Sequence, residues 1–225
     1  MFKRLIVFLC VLVCLLGGQG ANAQGVFYSN TIDDSFYDPA GREIAMPITF
    51  SGTYEVDSFT FGYFLPLDSL NGTSTNAIVR FYTAGPSGGA FDGTLISATF
   101  LESLEADPGG QTNVVFHDLT PLGNFFQWQA GLLPTEATGG WVSLEFSNPD
   151  AGWELARGDS QDDYFQDMTD GEYYNFGGDP QAAFYIELTG TQLAAAAPEP
   201  GTAALLAVLL LPCGVLYVIS KKVKS

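Results

Sequence analysis

Six carboxylates crowd fourteen residues of this chain: Asp159, Asp162, Asp163, Asp167, Asp170 and Glu172. Carboxylate oxygens are the hard ligands that Ca²⁺ prefers. One use of the cluster is therefore a structural calcium ion on Asp159, Asp162, Asp163 and Asp167. The spacing departs from an EF-hand loop, because Gly171 and Glu172 stand at the wrong offsets from Asp163. The other use is a solvated acidic loop that keeps the protein soluble. No other cofactor is expected. Two carboxylates facing each other across a glycosidic bond would make a glycosidase. The chain carries 25 acids, however, so some pair falls at a suitable separation by chance.

A sugar can also be gripped without being cut. Such sites lay aromatic rings against the apolar face of the sugar and offer Asp or Asn to its hydroxyls. Trp128, Trp141, Trp153, Tyr164, Tyr173 and Tyr174 are the available platforms. Strand alternation sends most of these rings into a core. Tyr173 and Tyr174 are the exception, since adjacent strand residues point to opposite faces and cannot both be buried on one side. They are the candidate sugar-binding residues.

Nucleophilic chemistry finds little support. Gly158-Asp159-Ser160 resembles the nucleophile block of GDS-type esterases, whose catalytic His follows the Ser. The single His of this chain, His117, precedes it. A relay needs a base within hydrogen-bond reach of the hydroxyl, and His117 beside Asp118 is better placed at a strand end. No G-x-S-x-G occurs. One His is too few for a His-based metal site, and the central part of the chain has no Cys for zinc. The chain is expected not to be an enzyme, and no catalytic residues are assigned.

The elements that position these residues follow from composition and pattern. In 225 residues there are 8 Lys+Arg against 25 Asp+Glu, a formal net charge of −17. So few cations exclude a nucleic-acid partner, which needs them to replace phosphate counterions. An aromatic content of 14% excludes a disordered acidic chain, and three Cys exclude a disulfide-stapled scaffold. The charge is unevenly spread. Residues 24–197 hold all the acids but Glu199 and only three cations, Arg42, Arg80 and Arg157, leaving this body at about −21.

The body alternates in strand fashion. Runs over 54–64, 77–83, 95–104, 113–119, 125–130, 141–146, 153–156 and 183–189 are rich in β-branched and aromatic residues. Turn signals separate them at Gly85-Pro86-Ser87-Gly88-Gly89, Asp107-Pro108-Gly109-Gly110 and Gly177-Gly178-Asp179-Pro180. Asn71-Gly72-Thr73 is first a turn and only second a glycosylation sequon. In 54–64 the apolar positions change phase, which predicts a bulge or sheet change near Ser58. The expectation is an all-β fold, a single antiparallel jelly-roll-like β-sandwich over 24–192. An N-terminal signal helix and a C-terminal transmembrane helix flank it.

Both ends read as addressing. Lys3 and Arg4, an apolar run of twelve from Leu5 to Leu16, and Ala21-Asn22-Ala23 form a secretory signal peptide over 1–23. Signal peptidase would cut between Ala23 and Gln24. An uncleaved anchor is the alternative, but the run is shorter than the roughly 20 residues a span requires. A linker with Pro198-Glu199-Pro200 covers 193–201. The stretch 202–220 is uncharged, and its eighteen residues from Thr202 to Ile219 reach roughly 27 Å as helix, against about 30 Å of hydrocarbon. Lys221, Lys222 and Lys224 in the 221–225 tail would stay cytoplasmic, leaving the body outside and the precursor in the inner membrane.

Pro-Glu-Pro, then a hydrophobic span, then a terminal basic cluster resembles the PEP-CTERM sorting signal of exported proteins of Gram-negative-type bacteria. The resemblance implies that an exosortase, a membrane-embedded cysteine transpeptidase, recognises Pro198, Glu199 and Pro200 and cuts nearby. The family's tail is usually Arg-rich, whereas this one is all Lys. The body is similar to a class of PEP-CTERM ectodomain through SFTFGYF at 58–64, VRFYTAG at 79–85, LEFSNPDAGW at 144–153 and YYNFGG at 173–178. That class implies a β-sandwich and assigns no chemistry. The expected protein is a cell-envelope or extracellular-matrix component, at the cell surface or released, with a structural role in matrix or biofilm. Envelope polysaccharide is its expected partner beyond the processing enzymes. The alternative is a carbohydrate-binding module or, further off, a glycan-active enzyme.

Overall fold

Period-two alternation of apolar and polar residues gives each strand one face to bury and one to expose. Among the described residues that demand is met with fifteen strands and one 3₁₀ turn. The computed structural model describes residues 24–39, 41–134, 136–157, 164–175 and 182–193. The strands are β1 (Gln24–Asn30), β2 (Ile32–Pro39), β3 (Ile44–Thr49), β4 (Thr53–Phe64), β5 (Ser74–Thr83), β6 (Leu95–Glu105), β7 (Asn113–Asp118) and β8 (Phe126–Gln129). They continue with β9 (Gly131–Leu132), β10 (Thr138–Phe146), β11 (Gly152–Arg157), β12 (Tyr164–Asp167), β13 (Tyr173–Asn175), β14 (Ala182–Phe184) and β15 (Ile186–Leu193).

Every pairing is antiparallel, and the strands form two sheets. One runs β1-β15-β4-β11-β14, with β2 beside β11 and β7 and β8 beside β4. The other runs β13-β12-β3-β10-β5-β6, with β9 beside β10. The expected all-β architecture of two antiparallel sheets is present. All eight expected strand stretches are there, with 183–189 divided between β14 and β15 at Tyr185, and β1, β2, β3, β9, β12 and β13 are additional. The expected signal peptide with Ala21 and Ala23, the linker with Pro198, Glu199 and Pro200, the span 202–220, and Lys221, Lys222 and Lys224 lie outside the described residues. Among the described residues no helix is long and apolar enough to cross a membrane.

A single apolar cluster draws on both sheets. Val56, Phe59, Phe61 and Tyr63 of β4, Trp128, Trp153, Phe184, Ile186 and Leu188 come from the first sheet. Ile44, Met46, Ile48, Val79, Phe81, Val142, Leu144 and Phe146 come from the second. The three tryptophans Trp128, Trp141 and Trp153 are all essentially inaccessible, at 0, 0 and 2% exposure, so they are core and not sugar platforms. Each buried indole N–H finds a carbonyl: Trp128 donates to Tyr82 at 3.0 Å, Trp141 to Gly88 at 2.8 Å, and Trp153 to Tyr185 at 3.0 Å. Without those acceptors each would be a costly unmet donor. Gly140 makes room for Trp128, because a Cβ there would overlap the indole ring.

The phase change in β4 is a bulge. Ser58 pairs with Thr189 and Val56 with Gly190, leaving Asp57 as the extra residue. Val56 and Phe59 thus both reach the core although three residues apart. The buried Asp57 carboxylate accepts from Gln24 Nε2 at 3.1 Å and Thr191 Oγ1 at 3.2 Å. Its backbone carbonyl accepts from Leu119 at 2.9 Å.

Candidate functional site

The second sheet has something unusual on its outer side. Ala45, Tyr82 and Trp141 alternate with the core residues of β3, β5 and β10, so they point away from the main core. There they form a second buried cluster with Ala90 and Leu133. Ala84 and Ala90 from between β5 and β6, and Leu133 and Ala137 from between β9 and β10, cover them. Trp141 is pinned to the β5–β6 loop by its bond to Gly88.

The β12–β13 hairpin forms the neighbouring edge. Tyr164 pairs with Asn175, Phe165 with Tyr174, and Gln166 with Tyr173. Its turn is built from the acidic cluster itself. Asp167 Oδ1 accepts the Thr169 N–H at 2.8 Å, Asp170 Oδ1 accepts the Glu172 N–H at 2.9 Å, and Gly171 takes a φ of +78°. These are local side-chain-to-backbone bonds of the kind that make Asp a turn former. Gln166, which is buried, fastens the hairpin to the covering loop. Its oxygen accepts from Ala90 N at 2.7 Å and Phe91 N at 3.0 Å, and its Nε2 donates to Gly171 O at 2.8 Å.

The expected pair of tyrosines stands on this hairpin, one on each face. Tyr173 packs at 6.1 Å from Trp141 and 6.0 Å from Tyr164, and Tyr174 stacks on Phe165 at 5.4 Å with 19° between planes. Both remain accessible, at 43 and 42% exposure. With Tyr164, Asn175 and Pro134 they line a shallow cleft of about 280 Å³. The Tyr164 and Tyr173 rings and Pro134 supply its apolar lining, while the Tyr174 ring lies on the other face of the hairpin against Phe165. Burial, then the nearby Asp92, raises the Tyr173 hydroxyl above its ordinary pKa. Asp170 is the main cause of the same shift in Tyr174, whose hydroxyl donates to Asp170 Oδ2 at 3.4 Å. Both rings therefore stay neutral through physiological pH.

Of the four calcium candidates, Asp167 alone lies among the described residues. Asp159, Asp162 and Asp163 lie outside the described residues. Asp167 is buried, with Oδ2 ion-paired to Arg42 Nε at 2.9 Å and Oδ1 on Thr169. Among the described residues no group of three or more His, Cys, Asp or Glu is arranged to hold a metal. Arg80 is likewise spent, on Glu43 at 3.1 Å and Glu145 at 2.8 Å, beside Tyr82 and Ser143, which both donate to Glu43.

A second cleft of about 300 Å³ holds His117 with Ser97, Ala98, Thr99, Phe100 and Asn124. The imidazole lies 5.2 Å from the Phe59 ring, near the end of β7 as expected. Asp118, its sequence neighbour, is committed to Thr120, accepting from its N–H at 2.9 Å and its hydroxyl at 2.6 Å. The sequence reasoning named Tyr173 and Tyr174 but not Pro134, Asn175 or Gln166. No sequence signal brings the Pro134 loop to this edge, because a long-range fold contact places it. A scan against protein-family models and a search of the curated proteins both return no match for this chain.

Proposed function

We propose that this chain is an exported, non-catalytic envelope or matrix protein whose β-sandwich, jelly-roll-like in its connections, grips polysaccharide at the Tyr164–Tyr173–Tyr174 cleft. The observation that carries the binding part is the exposure of Tyr173 and Tyr174 on a hairpin fastened from beneath by Gln166. Sugar sites ask for rings held rigidly at a surface, with a few polar groups at the rim. Asn175, which lines the cleft, meets the second need. The readings of residues 1–23 as a signal peptide and 198–225 as an exosortase-processed tail rest on the sequence. They would bring the sandwich outside the inner membrane, where polysaccharide is.

Two measurements test this reading. Protein washed from its own extracellular matrix should be retained by the wild type and lost by the Tyr173→Ala Tyr174→Ala double variant. Equal retention of a folded double variant would remove the cleft from the account. Intact-mass analysis of the envelope and medium fractions should give a product beginning at Gln24 and ending near Pro198. A Pro198→Ala Pro200→Ala variant should accumulate as an uncleaved membrane-bound precursor, and normal processing of that variant would sink the sorting part.

A further inference from the structure

Uncharged polar side chains gather where the two sheets end on one side of the sandwich. β6 closes the second sheet and β7 pairs with β4 alone, so both are edge strands. On β6, Ser97 stands opposite Phe81 and Thr99 opposite Val79 of β5. On β7, His117 stands opposite Phe59 of β4. Phe59, Val79 and Phe81 belong to the core, and directly opposed residues share a face of their sheet. Ser97, Thr99 and His117 therefore all turn toward the space between the sheets. Beneath them Phe59 meets Phe81 at 5.6 Å, Phe81 meets Phe126 at 4.7 Å, and His117 lies 5.2 Å from Phe59. These rings close the cleft of about 300 Å³ from below, and Asn124 lines it beside His117.

Among the described residues, none of the four side chains Ser97, Thr99, His117 and Asn124 has a hydrogen-bond partner. Hydroxyl, imidazole and carboxamide can each both donate and accept. That set matches a ligand whose own groups are hydroxyls, whereas an anion only accepts and an ammonium only donates. No acid, Lys or Arg lines the cleft, although the body carries about −21. Asp118 alternates with His117, so it faces the other side of β7, where it is engaged by Thr120. The tyrosine cleft stands at the β13 edge of the same sheet, five strand spacings or about 24 Å away.

We infer that the His117 cleft is a second glycan site, which takes an uncharged sugar unit by its hydroxyls, and that the sandwich thereby bridges two glycan segments. The bridging rests on the carbohydrate reading of the tyrosine cleft, whereas the His117 site stands without it.

His117 is the one histidine of the chain, so its imidazole carbon–proton signal reports on this cleft alone. The experiment follows that signal in untagged full-length protein in detergent. The titrants are β-1,4-linked hexamers of glucose, mannose and galactose, and a galacturonate hexamer. At least one neutral hexamer should shift the signal saturably, and the galacturonate should not. Ser97→Ala Thr99→Val keeps the shape, removes both hydroxyls and should weaken that binding about tenfold. Tyr173→Ala Tyr174→Ala should leave the His117 response as in the wild type. No shift with any neutral hexamer, an equal shift with galacturonate, or a response untouched by Ser97→Ala Thr99→Val overturns the inference. A long polymer of the hexamer that binds should turn turbid with the wild type and stay clear with either double variant. Turbidity that survives Tyr173→Ala Tyr174→Ala removes the tyrosine cleft and the bridging, and leaves the His117 site in place.

Discussion

The side-chain oxygen of Gln166 sits 2.7 Å from the backbone nitrogen of Ala90, a residue 76 positions away. One carboxamide thus joins the loop that covers the outer face of the sheet to the hairpin that carries the exposed tyrosines. Gln166→Leu removes the acceptor of two N–H groups and the donor to Gly171 in a buried place. The expected loss is about 2–4 kcal/mol in urea unfolding, since each stranded polar group costs about 1–3 kcal/mol. Amide exchange of Ala90 and Phe91 should accelerate before that of β4. Unchanged exchange at those two amides would mean the loop is held by something else.

Gly140 and Gly25 offer a matched pair. A Cβ at Gly140 overlaps the Trp128 indole, which has no free space to retreat into, whereas nothing lies within 4 Å of one at Gly25. Gly140→Ala should cost about 1–3 kcal/mol through overpacking, and Gly25→Ala should leave stability unchanged. Equal thermal midpoints for both variants would contradict the packing described around Trp128.

Asp167 should behave as a structural carboxylate. Both its oxygens are engaged, by Arg42 and by the Thr169 N–H. Asp167→Asn should lower the thermal midpoint equally in chelator and in millimolar Ca²⁺. A loss seen only with Ca²⁺ present would place Asp167 in a metal site instead.

Alkali should unfold the protein through its tyrosines. Tyr63 is buried and donates to the Glu105 carbonyl at 2.6 Å. Burial first, then Glu105 and Asp107, pushes its pKa from 10.0 up to about 12. A pKa higher in the folded state than in the unfolded one means the fold favours the neutral phenol. That contribution is complete below pH 10 and is lost as pH rises from 10 to 12. Tyr82, pushed up by burial and by its bond to Glu43, acts in the same direction. The urea midpoint should hold up to about pH 10 and then fall. Tyr63→Phe should start about 1 kcal/mol lower at neutral pH and fall less steeply. An alkaline limb identical to that of the wild type would exclude Tyr63 as its source.

Much of this fold is legible where one force acts alone. In β4 the shift of apolar phase at Ser58 announces the bulge at Asp57, because two faces of one strand cannot change sides without an extra residue. The hairpin tyrosines are legible for the same reason of alternation. β3 is harder. Its Pro47 argues against a strand, yet it pairs with Trp141 of β10, while β12 on the other flank reaches only Ala45 and Ile44. The proline is tolerated where that neighbour stops. β12 and β13 are hidden among acids whose carboxylates, instead of repelling the chain into a loop, close its turn. The floor of the cleft is the least legible part. Pro134 and Tyr164 meet through tertiary packing that no local pattern encodes.

Strand β15 ends at Leu193, beyond which the chain continues into its Pro-Glu-Pro segment. It is flanked on both sides, by β1 from Gln24↔Thr191 to Asn30↔Ile186 and by β4 from Thr53↔Leu193 to Phe61↔Ile186. Tension drawn through the C-terminus would therefore act along an interior strand. Two ladders of hydrogen bonds would have to yield together in shear, whereas an edge strand peels away one bond at a time. A sandwich hung by this strand is suited to resist flow and pulling, a mechanical property that sets the direction in which it is strongest.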